Sequence, residues 1–238
     1  MRAVVDRAPE RVLELWLADS RDDVRARELR QAAVSIGLRP QMTEPGALSR
    51  LAGEAAHQGA VASVRALRAW NEEDLAAALD GLGEDPLLLV LDGVTDPQNL
   101  GACLRTADAA GVHAVVIPRD RAAAVDGTVR KVAAGAAEFV PVATVTNLAR
   151  TLDALKERSI WVAGADGEAG QSIYAARLTG ALAVVLGGEG AGLRRLTRER
   201  CDFLVRIPMA GWVQSLNVAV AAGVALFEAR RQRLAAAG

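Results

Sequence analysis

From Leu87 onward the chain repeats one rhythm: a short, almost continuous apolar run, then a segment with helical spacing. The runs are "PLLLVLDGV", "HAVVIP", "FVPVATV", "IWVAGAD", "ALAVVLGGEG" and "FLVRIP". Helical segments follow over Gln98–Ala110, Asp126–Ala136, Leu148–Arg158, "LRRLTRERC" and Ser215–Ala237. A strand that is apolar at successive positions has no solvent face, so both faces must be covered. Strands of that kind alternating with helices predict an α/β fold with a parallel sheet between two helical layers. Ligands of such sheets bind beyond the carboxyl ends of the strands.

The first part of the chain reads as a separate, smaller α/β unit. It has strand patterns over Arg11–Asp19 and Gly59–Leu67, a helix over Val24–Gly37 and a short helix over Ala47–Leu51. Asn71 then looks like the N-cap of a helix reaching Leu82, with Glu72, Glu73 and Asp74 in its first turn. Gly81, Gly83 and Pro86 punctuate the end of that helix. The boundary is expected between Ala69 and Gly83, giving domains over residues 1–75 and 84–238.

Of the 238 residues 51% are hydrophobic and 24% charged, which supports a buried core and excludes a disordered chain. Aromatics are only 3%, so Leu, Val and Ala must fill that core. The net charge of -1 means that any nucleic-acid site has to be a local basic face. Cys103, Cys201, His57 and His113 are the only residues of their types and are scattered, so neither a disulfide framework nor a metal site is expected. The charged segment Met1–Glu10 does not read as a signal peptide, so none is expected, and no apolar run approaches a membrane span. The expectation is a cytoplasmic protein without a membrane segment.

Three strand ends carry chemistry-capable residues. After "LLLVLDG" come Asn99 and Gly101 in the first turn of a helix, then Arg105. After "AVVLGG" come Gly188, Glu189, Gly190 and Gly192, a spacing like a nucleotide-binding turn but on a late strand and without a Walker lysine. After "FLVRIP" an irregular loop broken by Pro208 and Gly211 leads to the uncharged cluster Gln214, Ser215 and Asn217, with Ser215 the expected N-cap of the last helix. Each feature alone has a plain structural explanation as a cap, a turn or a solvated charge. Together they make one site if the three strands lie side by side.

"NLGACLR", "LGGEGAGL" and "IPMAGWVQSLNVAVA" resemble, in order and spacing, the three motifs of the SpoU/TrmH RNA ribose 2'-O-methyltransferases. "LDGVTDPQNLGACLRTADAAGVHAVVIPRDR" and "LTRERCDFLVRIPMAG" are most similar to members that methylate a guanosine ribose in 23S ribosomal RNA, and "RAPERV" and "AHQGAVASV" extend the likeness to their small N-terminal domain. The resemblance implies a C-terminal trefoil knot, S-adenosylmethionine bound in a bent shape on the knot loops, and a homodimer. It implies a cofactor site at Leu186, Gly187, Gly188, Gly190, Ile207, Pro208, Met209, Ala210 and Leu216. It implies catalytic and supporting roles for Asn99, Arg105, Glu189, Ser215 and Asn217. A guanidinium stays protonated, so Arg105 is expected to clamp a substrate phosphate and stabilise the developing alkoxide, not to act as a base. Ser215 and Asn217 would orient the ribose hydroxyl, and Glu189 would hold the loops or Asn99.

RNA contacts are expected first from Arg119, Arg121, Arg130 and Lys131, and then from Arg194, Arg195, Arg198 and Arg200. His57 and Gln58 match the family's "HQG", where a substrate contact and a turn are equally compatible with the residues. Leu216, Val220, Val224 and Phe227 form an apolar stripe on the last helix, suited to sheet packing or to the dimer. Two departures stand out: Met1 falls close to "RAPER", where the family has a further strand and helix, and Trp212 replaces a small polar residue. The indole is expected either to narrow the cofactor pocket or to stack on the target base. The rival readings are a ribose methyltransferase of transfer RNA or of another rRNA site, and a catalytically silent RNA-binding or ribosome-assembly protein.

Overall fold

The computed structural model of the chain describes residues 2–53, 57–65, 67–190 and 192–237. The chain divides into two compact units between Arg68 and Ala69. The first contains α1 (Arg2–Arg7), β1 (Val12–Ala18), α2 (Val24–Ser35), β2 (Gln41–Thr43), α3 (Pro45–Ala52) and β3 (Ala60–Val64). β1 is central, parallel to β2 and antiparallel to β3. A register shift between Val12 and Glu14 leaves Leu13 exposed while Leu15 and Leu17 are buried. Asp23 starts α2 by accepting the Ala26 amide at 2.9 Å. The three-residue β2 has no apolar run, so its sequence carries no strand signal. The expected strand end near Leu67 includes Ala66, which lies outside the described residues, as does Met1.

The second unit begins with α4 (Glu72–Asp80), β4 (Leu87–Asp92), α5 (Pro97–Ala110), β5 (Ala114–Pro118), α6 (Gly127–Val132), β6 (Val142–Val145) and α7 (Leu148–Glu157). It continues through β7 (Trp161–Ala165), β8 (Gln171–Ser172), β9 (Leu182–Gly187), α8 (Arg195–Arg200), β10 (Phe203–Arg206) and α9 (Val218–Ala237). The seven strands pair in the order β6-β5-β4-β9-β7-β10-β8, each pair parallel. β4 explains the continuous apolar run. Leu87, Leu89 and Leu91 join the core under α5, α6 and α9, whereas Leu88 and Val90 join the opposite layer with Leu75 of α4 and Leu148, Leu152 and Leu155 of α7. Alternate side chains of one strand therefore feed two cores.

α4 belongs to this second unit, so the first ends earlier than the expected residue 75. The Trp70 amide donates to the Val142 carbonyl at 3.1 Å and its carbonyl accepts from Thr144 at 2.9 Å, anchoring the start of α4 on β6. Asn71 caps α4 as expected, in a reciprocal box with Asp74. α6 is shorter than its pattern because Ala134 and Gly135, at φ of +52° and +99°, turn the chain out of the helix.

Strand order sets where a ligand can sit. β4, β5 and β6 step outward to one side, β7 lies on the other, and β9 fills the place between β4 and β7. The carboxyl ends of β4 and β9 thus flank the point where the order reverses, the usual crevice of an open parallel sheet. "FLVRIP" is not beside "AVVLGG" as expected: β7 separates β10 from β9. Among the described residues no helix is long and apolar enough to cross a membrane.

α9 packs through Val218, Ala222, Ala225, Leu226 and Ala229, all buried. On the same helix the buried Glu228 accepts bonds from Arg231 at 2.7 and 2.8 Å and from Gln232 at 2.9 Å. Gln232 in turn accepts from the Leu178 amide and donates to the Ala176 carbonyl, tying α9 to the chain before β9. The Arg231 guanidinium, and then Gln232, hold the Glu228 carboxyl down from 4.5 to about 2. A carboxylate whose folded value lies below its unfolded one stabilises the fold above the unfolded value and loses that contribution as pH falls. Glu228→Gln is therefore expected to cost about 1–3 kcal/mol near neutrality. Urea unfolding at stepped pH should show the gap to the native protein closing between pH 4.5 and about 2.

Candidate active site

The site grows from the ends of β4 and β9, where two backbones run too close for side chains. A Cβ on Gly187 would lie 2.0 Å from the Gly192 carbonyl carbon, and one on Gly188 would lie 2.2 Å from the Gly93 carbonyl oxygen. The Gly188 amide donates to the Asp92 carbonyl at 2.8 Å, and Gly192 donates back to Gly188 at 3.2 Å. Asp92, the buried last residue of β4, secures the chain beyond the glycines. Its carboxylate accepts the Arg194 amide at 3.0 Å and pairs with the Arg194 guanidinium. A buried carboxylate is tolerated because both its charge and its lone pairs are met. Sequence reading missed it, although an acid closing an apolar strand was the available signal.

The helix starts converge on the same place. Asp96 caps α5 through the Gln98 amide at 2.9 Å, with Pro97 as the first helical residue. The Asn99 amide group donates to Asp96 at 3.1 Å and to the Glu189 carboxylate, while its oxygen accepts from the Asn217 amide group at 2.8 Å. Asn217 Oδ1 then accepts the Ala219 amide at 2.9 Å and caps α9. Carboxylates only accept, so Asp96 and Glu189 fix which way the Asn99 amide faces, and Asn99 fixes Asn217. One hydrogen-bonded chain therefore joins residues from all three strand-end segments. The cap of α9 is Asn217, not Ser215 as the sequence suggested. Ser215 stands exposed in the loop with its hydroxyl free of partners among the described residues.

Beside this chain lies a cleft lined by Leu186, Gly187, Gly188, Glu189 and Gly190 on one side and by Ile207, Met209, Ser215 and Leu216 on the other. Pro208 and Ala210, expected there, are not part of its wall. A third wall comes from Asp166 and Gly167 after β7, which sequence reading also missed although "GADG" closes that strand. Asp166 is held by the Arg198 guanidinium at 2.7 Å and by the Glu168 amide at 2.8 Å. Gly190 and Gly192, at φ of +75° and +64°, have open space where a Cβ would stand. Backbone groups, apolar walls and carboxylates at the rim suit an adenosine carrying a cationic tail.

A family model described as the SpoU rRNA Methylase family matches residues 86–227, more than half of the chain. The chain belongs to that family. A second model, for the substrate-binding region of RNA 2'-O ribose methyltransferases, matches residues 2–70. The SpoU protein described here is 55% identical over 233 residues to the 23S rRNA (guanosine-2'-O-)-methyltransferase RlmB of Pectobacterium atrosepticum, covering 98% of this chain and 95% of the relative. It is 52% identical to RlmB of Escherichia coli, with 98% and 96% covered. Among solved structures it is similar to the SpoU methyltransferase AviRb from Streptomyces viridochromogenes in complex with AdoMet. There the TM-score is 0.74 and the identity 29%, over 94% of this chain and 84% of that one.

In this SpoU protein the remaining expected residues do not line the cleft. Arg105 is exposed on α5, six residues and about 240° beyond Asn99, with no polar partner among the described residues. Arg119, Arg121 and Lys131 are exposed, while Arg130 pairs with Glu138. Arg121 holds a left-handed backbone, φ +59°. All four arginines of the second basic set are engaged, with Asp92, Glu199, Asp166 and Asp153. In the first unit His57 Nδ1 accepts the Gly59 amide at 3.1 Å and Nε2 lies 3.1 Å from Ser49 Oγ, so the imidazole organises the turn at Gln58. Burial pushes the Cys103 and Cys201 thiols up to about 12, which removes them as nucleophiles.

Proposed function

We propose that this protein uses S-adenosylmethionine to methylate the 2'-hydroxyl of a guanosine ribose in 23S ribosomal RNA. The observation that carries the substrate is the identity of 52–55% over nearly the whole chain with relatives bearing that activity. The hydrogen-bonded chain through Glu189, Asn99 and Asn217 at the mouth of the cleft supports the chemistry. A reaction on ribosomal RNA accords with a cytoplasmic protein.

Leu186, Ile207, Met209 and Leu216 would enclose the adenosine, and the backbone of Gly187, Gly188 and Gly190 would approach it closely. When bound, the cofactor supplies an electrophilic methyl group. The oxygen–methyl bond would form as the sulfur–methyl bond breaks and the thioether leaves, with the hydroxyl proton passing to water. The chain's own residues have to place this poorly nucleophilic hydroxyl in line and stabilise the charge that develops on its oxygen. Ser215, whose hydroxyl is free, and Asn217, whose amide is fixed by Asn99, orient the ribose. Glu189 keeps Asn99 in place. Arg105, permanently charged, clamps the neighbouring phosphate and stabilises the developing alkoxide.

Arg105 lies away from the Asn99 cluster of its own chain, which favours a homodimer in which each subunit's Arg105 serves the partner's site. Val220, Phe227 and Leu234 recur every seven residues on α9, each about half exposed, and supply an apolar stripe for that contact. The close backbone approaches at Gly187 and Gly188, which leave no room for a Cβ, support a C-terminal trefoil knot at this end of the sheet. The first unit and the exposed cations Arg119, Arg121 and Lys131 would capture RNA by its phosphates. The test is methyl transfer to purified 23S ribosomal RNA and to bulk transfer RNA side by side. Label on the ribosomal RNA is expected; label confined to transfer RNA would overturn the substrate.

A further inference from the structure

We infer that Trp212 is a base-stacking residue that holds the nucleotide presented to the cleft splayed out of its strand, an inference that rests on the ribose-methylation reading above. Its indole is fully exposed, with relative accessibility of 103%, although tryptophan is among the most buried side chains on average. Neighbouring Val213 is itself 64% exposed and Gly211 has no side chain, so neither neighbour covers the ring. The position is functional ground. The same loop supplies Ile207 and Met209 before the tryptophan, and Gln214, Ser215 and Leu216 after it, to the cleft wall. The indole itself is not in that wall, so it leaves the cofactor's space open.

Chain geometry then limits what Trp212 can meet. It stands three residues from Ser215, so their Cα atoms are at most about 11 Å apart. A ribose held at Ser215 and Asn217 has its own base, or the next one along the strand, within the reach of an indole placed there. A flat, solvated π-face beside a bound ribose suits a nucleobase, and stacking of that kind contributes without reading hydrogen bonds. Because every base has a π-face, Trp212 enforces that the nucleotide is splayed out, while polar groups of the cleft mouth read its identity.

The experiment compares Trp212→Ser and Trp212→Phe with the native protein and with Trp161→Phe, which changes another exposed tryptophan at the opposite, amino-terminal edge of the sheet. Trp212→Ser should raise KM for a 23S ribosomal RNA transcript about 5- to 100-fold, with kcat largely retained and S-adenosylmethionine affinity by calorimetry unchanged. Trp212→Phe should recover most of the loss, and Trp161→Phe should have no effect on KM. RNA should quench tryptophan fluorescence in the native protein and in Trp161→Phe, but much less in Trp212→Ser. An unchanged RNA KM in Trp212→Ser would overturn the inference. So would a shift from dimer to monomer in sedimentation accounting for the loss, since the occupant would then be a second copy of the chain. Failure of the native protein to bind S-adenosylmethionine at all would instead defeat the underlying reading of the site.

Discussion

Replacing Gly188 by alanine is expected to abolish cofactor binding and to destabilise the second unit by about 4 kcal/mol or more. The added Cβ would stand 2.2 Å from the Gly93 carbonyl oxygen and 2.9 Å from its carbon, both backbone atoms between β4 and α5. No rotamer change relieves a contact with backbone. The glycine loop or the end of β4 must move, and either motion breaks the 2.8 Å bond from Gly188 to Asp92. Gly190 makes the internal control. Its missing Cβ faces open space, so Gly190→Ala should cost only the strain of a left-handed backbone, about 1–2 kcal/mol. Thermal melting with and without S-adenosylmethionine separates the two outcomes. Equal melting temperatures for both variants would mean that the close approach at Gly188 is not a constraint.

The second large effect is at Arg105. Truncation to alanine is expected to lower turnover about 10²- to 10³-fold, the usual cost of removing one group that stabilises developing negative charge. Arg105→Lys keeps the charge but loses the forked, two-point grip on a phosphate. It should recover only part of the rate, leaving at least about a ten-fold deficit. S-adenosylmethionine affinity should be unchanged in both variants, because Arg105 is exposed on α5 and outside the cleft wall. Near-normal turnover in the lysine variant, with RNA affinity intact, would remove the clamp. A mixed dimer gives a sharper result. Arg105→Ala subunits combined with Gly188→Ala subunits should regain activity at one site if the arginine acts across the dimer.

Much of this architecture was legible in the sequence because burial on both faces writes itself into β4 and β9 as unbroken apolar runs. The segments that would meet were legible too, since Gly188, Pro208 and Gly211 break the pattern beside uncharged polar residues. Adjacency was not legible. Nothing local in "FLVRIP" says that β7 intervenes between it and β9, because strand order depends on long-range packing. Nor does a sequence decide between Ser215 and Asn217 as the cap of α9. Both residue types cap well, and the choice is made by Asn99, more than a hundred residues earlier, which fixes Asn217 through one hydrogen bond. Asp92 and Asp166 were legible only as acids closing strands; what they hold was not, because their partners Arg194 and Arg198 are distant in sequence. β2 and β8 are too short to carry periodicity, so only their pairing partners define them.

The central claim is that this site delivers a methyl group to a ribose oxygen, and chemical analysis of the product tests it directly. A ribose methylated at the 2'-oxygen can no longer attack its own phosphodiester, so alkali leaves that linkage uncut. 23S ribosomal RNA incubated with the protein and methyl-labelled S-adenosylmethionine should, after alkaline hydrolysis, hold its label in an alkali-resistant dinucleotide beginning with guanosine. Label released as ordinary mononucleotides, with the methyl group on a base, would contradict the account.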